Sequence, residues 1–176
     1  FVARSNVLDN IAEFSTRTYA EPNTVFRNLG AMKFEDVTAA AGPDMQVPGV
    51  YRGAAIGDLD NDGRLDVVVT VLNGQAKILH NVSTGENNWI TFHLTGSKNN
   101  RMAIGAQVKV TTADGASQYD IVSTSSGYAA SRDPRAHFGL GAFRTVREVE
   151  IRWPGSARQM LRNVTANRIV EVQEPR

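Results

Sequence analysis

Asp58, Asp60, Asp62 and Asp66 stand at positions 1, 3, 5 and 9 of the stretch Asp58-Leu59-Asp60-Asn61-Asp62-Gly63-Arg64-Leu65-Asp66, with glycine at position 6. Carboxylates on alternate residues of a tight loop can all point inward at one ion, and the glycine lets the chain turn sharply enough to bring the ninth residue back. The cation that suits an all-oxygen set of this kind is calcium, which takes six to eight oxygens at roughly 2.3–2.6 Å. Asp58, Asp60 and Asp62 are expected to ligate through their side chains and Arg64 through its backbone carbonyl. Asp66 is expected to close the shell, bidentate, and Asn61 to point away from the ion. Without a cation, carboxylates this close should repel one another and hold the loop open. The competing reading is a solvated acidic turn joining two strands.

Other chemistry-bearing residues are more dispersed. His80 and His93 each stand on an expected strand with no second ligand nearby and read as ordinary strand residues. His137 follows Asp133 and Arg135, so a carboxylate could orient its imidazole, but no nucleophile is paired with it. Ser125, Ser126 and Ser131 lie in a Gly/Ser-rich loop where spacing selects none of them, which argues against a hydrolytic triad. Arg101, Arg132 and Arg135 could converge on an anion or an acidic glycan. The plainer alternative has Asn100 and Arg101 locking a turn through backbone carbonyls. With no cysteine, neither a disulfide nor a thiol site can be built.

The elements that must position the acidic loop are β-prone. Gly53-Ala54-Ala55-Ile56-Gly57 precedes it, Val67-Val68-Val69-Thr70-Val71 follows it, and Gln75 to Asn81 reads as a third strand. Position 12 of the loop is Val69, where an EF-hand would carry glutamate on a helix. The stretch resembles an FG-GAP (or VCBS) repeat, the blade unit of integrin-type β-propellers. The resemblance implies that calcium staples the turn between the first two strands of a blade. Upstream, Thr24 to Asn28 and Lys33 to Thr38 read as a hairpin about Leu29-Gly30-Ala31-Met32, which in such repeats forms the outer strands of a blade. Before it, Val7, Leu8, Ile11 and Phe14 fit one helical face, although the end of a strand followed by a loop fits equally well. A propeller needs 4–8 blades of four strands, so residues 1–82 supply only incomplete blades. The chain, opening on Phe1, therefore reads as the carboxy-terminal piece of a longer protein.

Ser83 to Asn87 read as a linker. Beyond it, short alternating strands are expected at Trp89–Leu94, Gly105–Thr111, Gln118–Ser123, His137–Leu140, Glu148–Trp153, Gln159–Val164 and Arg168–Val172. Asp114-Gly115 supplies a hairpin turn. This spacing indicates an antiparallel β-sandwich or barrel. The motifs Asn88-Trp89-Ile90, Asn100 to Ala106, Gly127-Tyr128, Asp133 to Gly141, Val149 to Pro154 and Asn163 to Arg168 make residues 88–176 similar to the ASPIC/UnbV domain. One departure is Gly155-Ser156, where that family would place serine before glycine. The family implies no established activity.

The fold expectation is therefore all-β: incomplete propeller blades with a calcium loop over residues 1–82, a linker over 83–87, and a second β domain over 88–176. Charge is divided in the same way. Residues 1–85 carry 7 Lys+Arg against 10 Asp+Glu, a net −3, and residues 86–176 carry 12 against 8, a net +4. Neither value is large enough for nucleic acid. No run is long and apolar enough to insert in a membrane. The functional expectation is a non-enzymatic, calcium-binding recognition or adhesion module, extracellular or in a bacterial cell envelope, with a protein or glycan ligand. An exposed sheet edge could also pair two copies. The alternatives are a structural cap closing a propeller and an accessory or catalytic domain of a biosynthetic enzyme.

Overall fold

The computed structural model describes residues 1–97, 100–155 and 157–176. Ser156 and the side chain of Ser126 lie outside the described residues. Among those described, the helical pieces are short 3-10 turns at Ile11–Glu13, Thr38–Ala41 and Pro43–Gln46, and the rest of the regular structure is β. The apolar face read over residues 7–14 does not become a longer helix. Val7, Leu8 and Phe14 are exposed there, so no packing partner supports one.

The chain divides into two compact units that alternate along the sequence: residues 1–57, 66–81 and 126–131 form one, and residues 58–65, 82–125 and 132–176 the other. In the first unit, β1 (Phe26–Gly30) and β2 (Lys33–Asp36) pair antiparallel. Their reversal runs through Ala31 and Met32, both at positive φ, the backbone that matches strand twist in a tight hairpin. The unit's three-stranded sheet has the order β3 (Tyr51–Gly57), β4 (Asp66–Val71), β5 (Lys77–Leu79), antiparallel throughout. Tyr51 and Val69 are its buried apolar residues, and the Tyr51 hydroxyl donates to the Val47 carbonyl at 2.8 Å.

The second unit contains β6 (Asn88–Thr95), β7 (Gln107–Thr111) and β8 (Ser117–Ile121). Two short strands follow, β9 (Ser125–Gly127) and β10 (Ala130–Ser131), in the stretch expected to be loop; β9 runs from this unit into the first, and β10 belongs to the first. Then come β11 (Ala136–Gly141), β12 (Thr145–Arg152), β13 (Arg158–Thr165) and β14 (Arg168–Gln173). They form a three-stranded sheet β11-β6-β14 and a four-stranded sheet β13-β12-β7-β8, neither closed into a barrel. The period-2 alternation sends one face of β6, β7, β11 and β12 into a common cluster, with Ile90, Phe92 and Leu94 from β6 and Val108, Val110, Val149 and Ile151 from β7 and β12. Phe92 and Phe138 meet edge to face with centroids 6.1 Å apart, a favoured aromatic geometry. One pairing departs from the antiparallel expectation: β14 runs parallel to β6, from Arg168 opposite Ile90 to Gln173 opposite Thr95. Alternation fixes which side chains point inward but carries no information on strand direction.

Candidate metal centre

The acidic loop joins β3 to β4, whose ends close on the pair Gly57 and Asp66. Its closure is made by backbone amides. The Asp58 carboxylate accepts the Asp62 N–H at 3.1 Å and the Gly63 N–H at 2.9 Å. Asn61 and Gly63 both sit at positive φ, 62° and 88°, a region where asparagine and glycine are the least strained residues. Gly63 is constrained a second way, because a Cβ there would fall 1.9 Å from the Trp89 indole nitrogen. Amide donors to Asp58 and the Arg64 guanidinium on Asp62 offset part of the loop's carboxylate charge.

Three of the expected ligands come together. Asp58, Asp60 and Asp66 each offer a carboxylate oxygen, and these oxygens lie within 4.8 Å of one another. Two oxygens bound to one calcium at roughly 2.3–2.6 Å can be at most about 5 Å apart, so the set fits a single hard cation. Asp58 and Asp66 are 4% and 1% exposed, whereas Asp60 is open to solvent. Asp62 stands apart from this group: it accepts the Arg64 N–H at 2.8 Å and pairs with the Arg64 guanidinium. Asp66 is held from β4's other side. Its Oδ1 accepts from His80 Nδ1 at 3.0 Å and from the Asn81 N–H at 2.8 Å. His80, read from sequence as an ordinary strand residue, is therefore a support for the buried carboxylate. The signal that could have found it is the loop's own hairpin register, which brings the end of the third strand beside the start of β4.

Arg135 was expected as one of three convergent arginines, but it serves the loop. Its Nη2 donates to the Asp58 carbonyl at 2.8 Å and its Nη1 to Asn61 Oδ1 at 2.6 Å. Its Nε donates to Asp133 Oδ2 at 2.7 Å. The hydrogen bond to Asp133 raises the Arg135 pKa against the opposing effect of burial, with the Asp133 and Asp58 charges adding to the rise. For Asp133, burial would raise the pKa, but the hydrogen bonds and charge of Arg135 outweigh it and hold the carboxyl below its ordinary value. Arg132 is engaged elsewhere, bonding the Ser123 and Ile121 carbonyls and pairing with Asp120 at 2.9 Å. Arg101 lines an open cavity of about 600 Å³ with Gly96, Ser97, Asn100 and Arg176. Asn100 locks the neighbouring turn through both ends of its amide, accepting the Ile104 N–H at 2.7 Å and donating to the Ile104 carbonyl at 3.1 Å.

Behind Trp89 the packing is continuous. His137 stacks on its ring with centroids 5.9 Å apart and hydrogen-bonds Thr91 at 2.8 Å. Burial pushes the His137 imidazole below its ordinary pKa, with the Asp58 charge opposing. The Asn167 side chain accepts the Trp89 N–H at 3.1 Å, and the Asn167 N–H returns to the Trp89 carbonyl at 2.6 Å.

The FG-GAP-like repeat family matches residues 9–69, which include Asp58 to Asp66, and the ASPIC and UnbV family matches residues 96–176. The chain is 30% identical over 175 residues to cartilage acidic protein 1 of Homo sapiens, covering 96% of this chain and 26% of that protein. It is 29% identical over 174 residues to the Mus musculus protein of the same name, with 95% and 26% covered. It is 33% identical over 106 residues to that of Xenopus tropicalis, with 58% and 16% covered. The chain therefore spans about a quarter of the length of the human and mouse relatives.

Proposed function

From the premise that the chain joins an FG-GAP-like repeat segment to an ASPIC and UnbV segment, we propose that it is a non-enzymatic extracellular recognition module stapled by calcium. The observation that carries the reading is the group of Asp58, Asp60 and Asp66 oxygens within 4.8 Å, inside the repeat-matched residues. These three side chains would hold the ion, with Asp62 and the Arg64 carbonyl completing its shell. Recruiting Asp62 requires breaking its pair with Arg64, whose side chain is 42% exposed. A partly exposed pair of this kind is worth little, about 0–1 kcal/mol. Bound calcium would supply a cross-link across the reversal between β3 and β4. We assign residues 1–82 to the repeat segment, 83–87 to a linker and 88–176 to the second domain. The acidic loop is contacted by Trp89 and Arg135 of that domain. The ligand class is protein or glycan. The vertebrate relatives favour the extracellular space, and no comparison supports a bacterial envelope. A homodimer through the β3-β4-β5 sheet is held back by the three-residue length of β5, since short edge strands pair poorly.

Calorimetry of the whole chain with and without chelator tests the calcium reading. Free calcium at 100 times its dissociation constant raises stability by about 2.7 kcal/mol. Chelation should lower the unfolding midpoint by several degrees, Asp60→Ala should abolish most of that shift, and magnesium should substitute poorly because it demands a smaller octahedral cage. An unfolding midpoint indifferent to millimolar calcium would reduce Asp58 to Asp66 to an acidic turn.

A further inference from the structure

We infer that Arg135 is the positioning residue of the calcium loop, so that calcium affinity is set from the ASPIC and UnbV segment and is not intrinsic to the repeat's own nine residues. The inference rests on the calcium reading above.

The loop's ligand geometry depends on two points along the chain. One is the backbone of Asp58, which sets where the first carboxylate begins. The other is the left-handed turn at Asn61, which separates Asp60 from Asp62. Arg135 holds both at once, through the Asp58 carbonyl at 2.8 Å and Asn61 Oδ1 at 2.6 Å. A planar guanidinium can fix two acceptors at a set spacing, which a flexible ammonium cannot. Asp133 in turn fixes the fork from behind, with Oδ2 at 2.7 Å from Nε and 2.5 Å from Nη2. That pairing also compensates the positive charge, so Arg135 can sit beside an acidic loop without acting as a bare competitor for the cation. The third fixed point is Gly63, packed against the Trp89 ring so closely that no Cβ fits. Residues 58–65 accordingly group with the second compact unit, although they lie within the match to the repeat family. Preorganised ligands bind more tightly because the ordering has been done before the ion arrives.

Two effects of removing Arg135 oppose each other. Loss of a positive charge favours calcium, and loss of positioning disfavours it. Because Asp133 already compensates the charge, positioning should win. Titration calorimetry of the full chain with calcium chloride decides it. Arg135→Ala should weaken calcium binding about tenfold or more. Arg135→Lys should weaken it nearly as much, because the charge is kept but the fork is lost. Asn61→Gly keeps the positive φ and removes only the acceptor, so a several-fold weakening is expected from it in place of the indifference that its outward position implies. Measuring affinity well below each variant's unfolding midpoint separates positioning from a structural role, which would move the midpoint and leave affinity alone. Affinity that is unchanged or tighter in Arg135→Ala overturns the inference. If Arg135→Ala does not fold, unchanged affinity in Asn61→Gly overturns it equally. Wild-type protein that gives no calcium heat instead overturns the calcium reading itself, so the two failures are distinguishable.

Discussion

The two units differ in how they bury apolar surface. Among the described residues, seventeen of the buried hydrophobic side chains form one cluster in the second unit, whereas the first buries Tyr51 and Val69. Both units are built from short strands, with β3 of the first (7 residues) at least as long as most strands of the second. The second has two sheets whose inner faces share a core, while every residue of β1 and β2 in the first is exposed, Leu29 at 58% and Phe34 at 63%. A sheet gains stability from a layer packed on its face, and a lone hairpin is marginal in water. Strands should therefore carry different stabilities according to what covers them.

The largest test of this contrast is to cut the chain between residues 82 and 86, which leaves the large apolar cluster whole in the carboxy-terminal piece. Residues 86–176 alone should show a cooperative thermal transition, and residues 1–82 alone should show none. A transition from the amino-terminal piece with none from the carboxy-terminal piece would reverse the comparison.

Single truncations should follow the same division. Phe92, fully buried against Phe138, should lose about 3–5 kcal/mol on replacement by alanine. Phe34→Ala should stay within about 0.5 kcal/mol. Urea unfolding of the whole chain reads both, and comparable losses at the two positions would show that the hairpin is covered in solution.

Gly63→Ala comes next. A positive φ of 88° costs a non-glycine residue about 1–2 kcal/mol, and intrusion on a packed ring about 1–3 kcal/mol more. The expected loss is therefore about 2–5 kcal/mol. A second change, Trp89→Ala, should recover the steric part and leave the backbone part. Strict additivity in that double-mutant cycle would show that the indole does not lie against the loop.

The smallest effect is electrostatic. Burial holds the folded-state pKa of His137 below its ordinary value, so the folded protein favours the neutral ring. Its contribution is complete above the unfolded pKa of about 6.5 and declines as pH falls below it, because the unfolded chain takes up the proton first. Asp133, held low in the folded state, contributes above its unfolded pKa, and that contribution is lost only in more acidic solution, as pH falls through the folded value. His137→Asn should flatten the upper step and leave the acid one. Midpoints measured from pH 8 to pH 3 check both, and a His137→Asn profile identical to wild type removes the first.

Much of this was legible in the residues themselves. Alternation located most strands because the period-2 geometry of a strand writes burial directly into the sequence. Asp58, Asp60, Asp62 and Asp66 could be named as candidate ligands because ligand spacing in a short loop is a local property, whereas the pairing of Asp62 with Arg64 could not. The turn at Asp114-Gly115 was legible for the same reason, with Gly115 at φ 88°. The strands β9 and β10 were not, since their Gly/Ser-rich sequence has no apolar face and their pairing depends on neighbours.

What the sequence alone determined was local: an all-β chain, an acidic loop between two strands, and a second half rich in alternating apolar residues. Only the tertiary structure decided that β14 runs parallel to β6, that His80 supports Asp66, and that Arg135, far along the chain, holds Asp58 and Asn61. The physical reason is the range of the interactions. Backbone period and ligand spacing act over a few residues and leave a pattern there. A guanidinium bonding a carbonyl more than seventy residues away leaves none, because that carbonyl's acceptor is common to every residue.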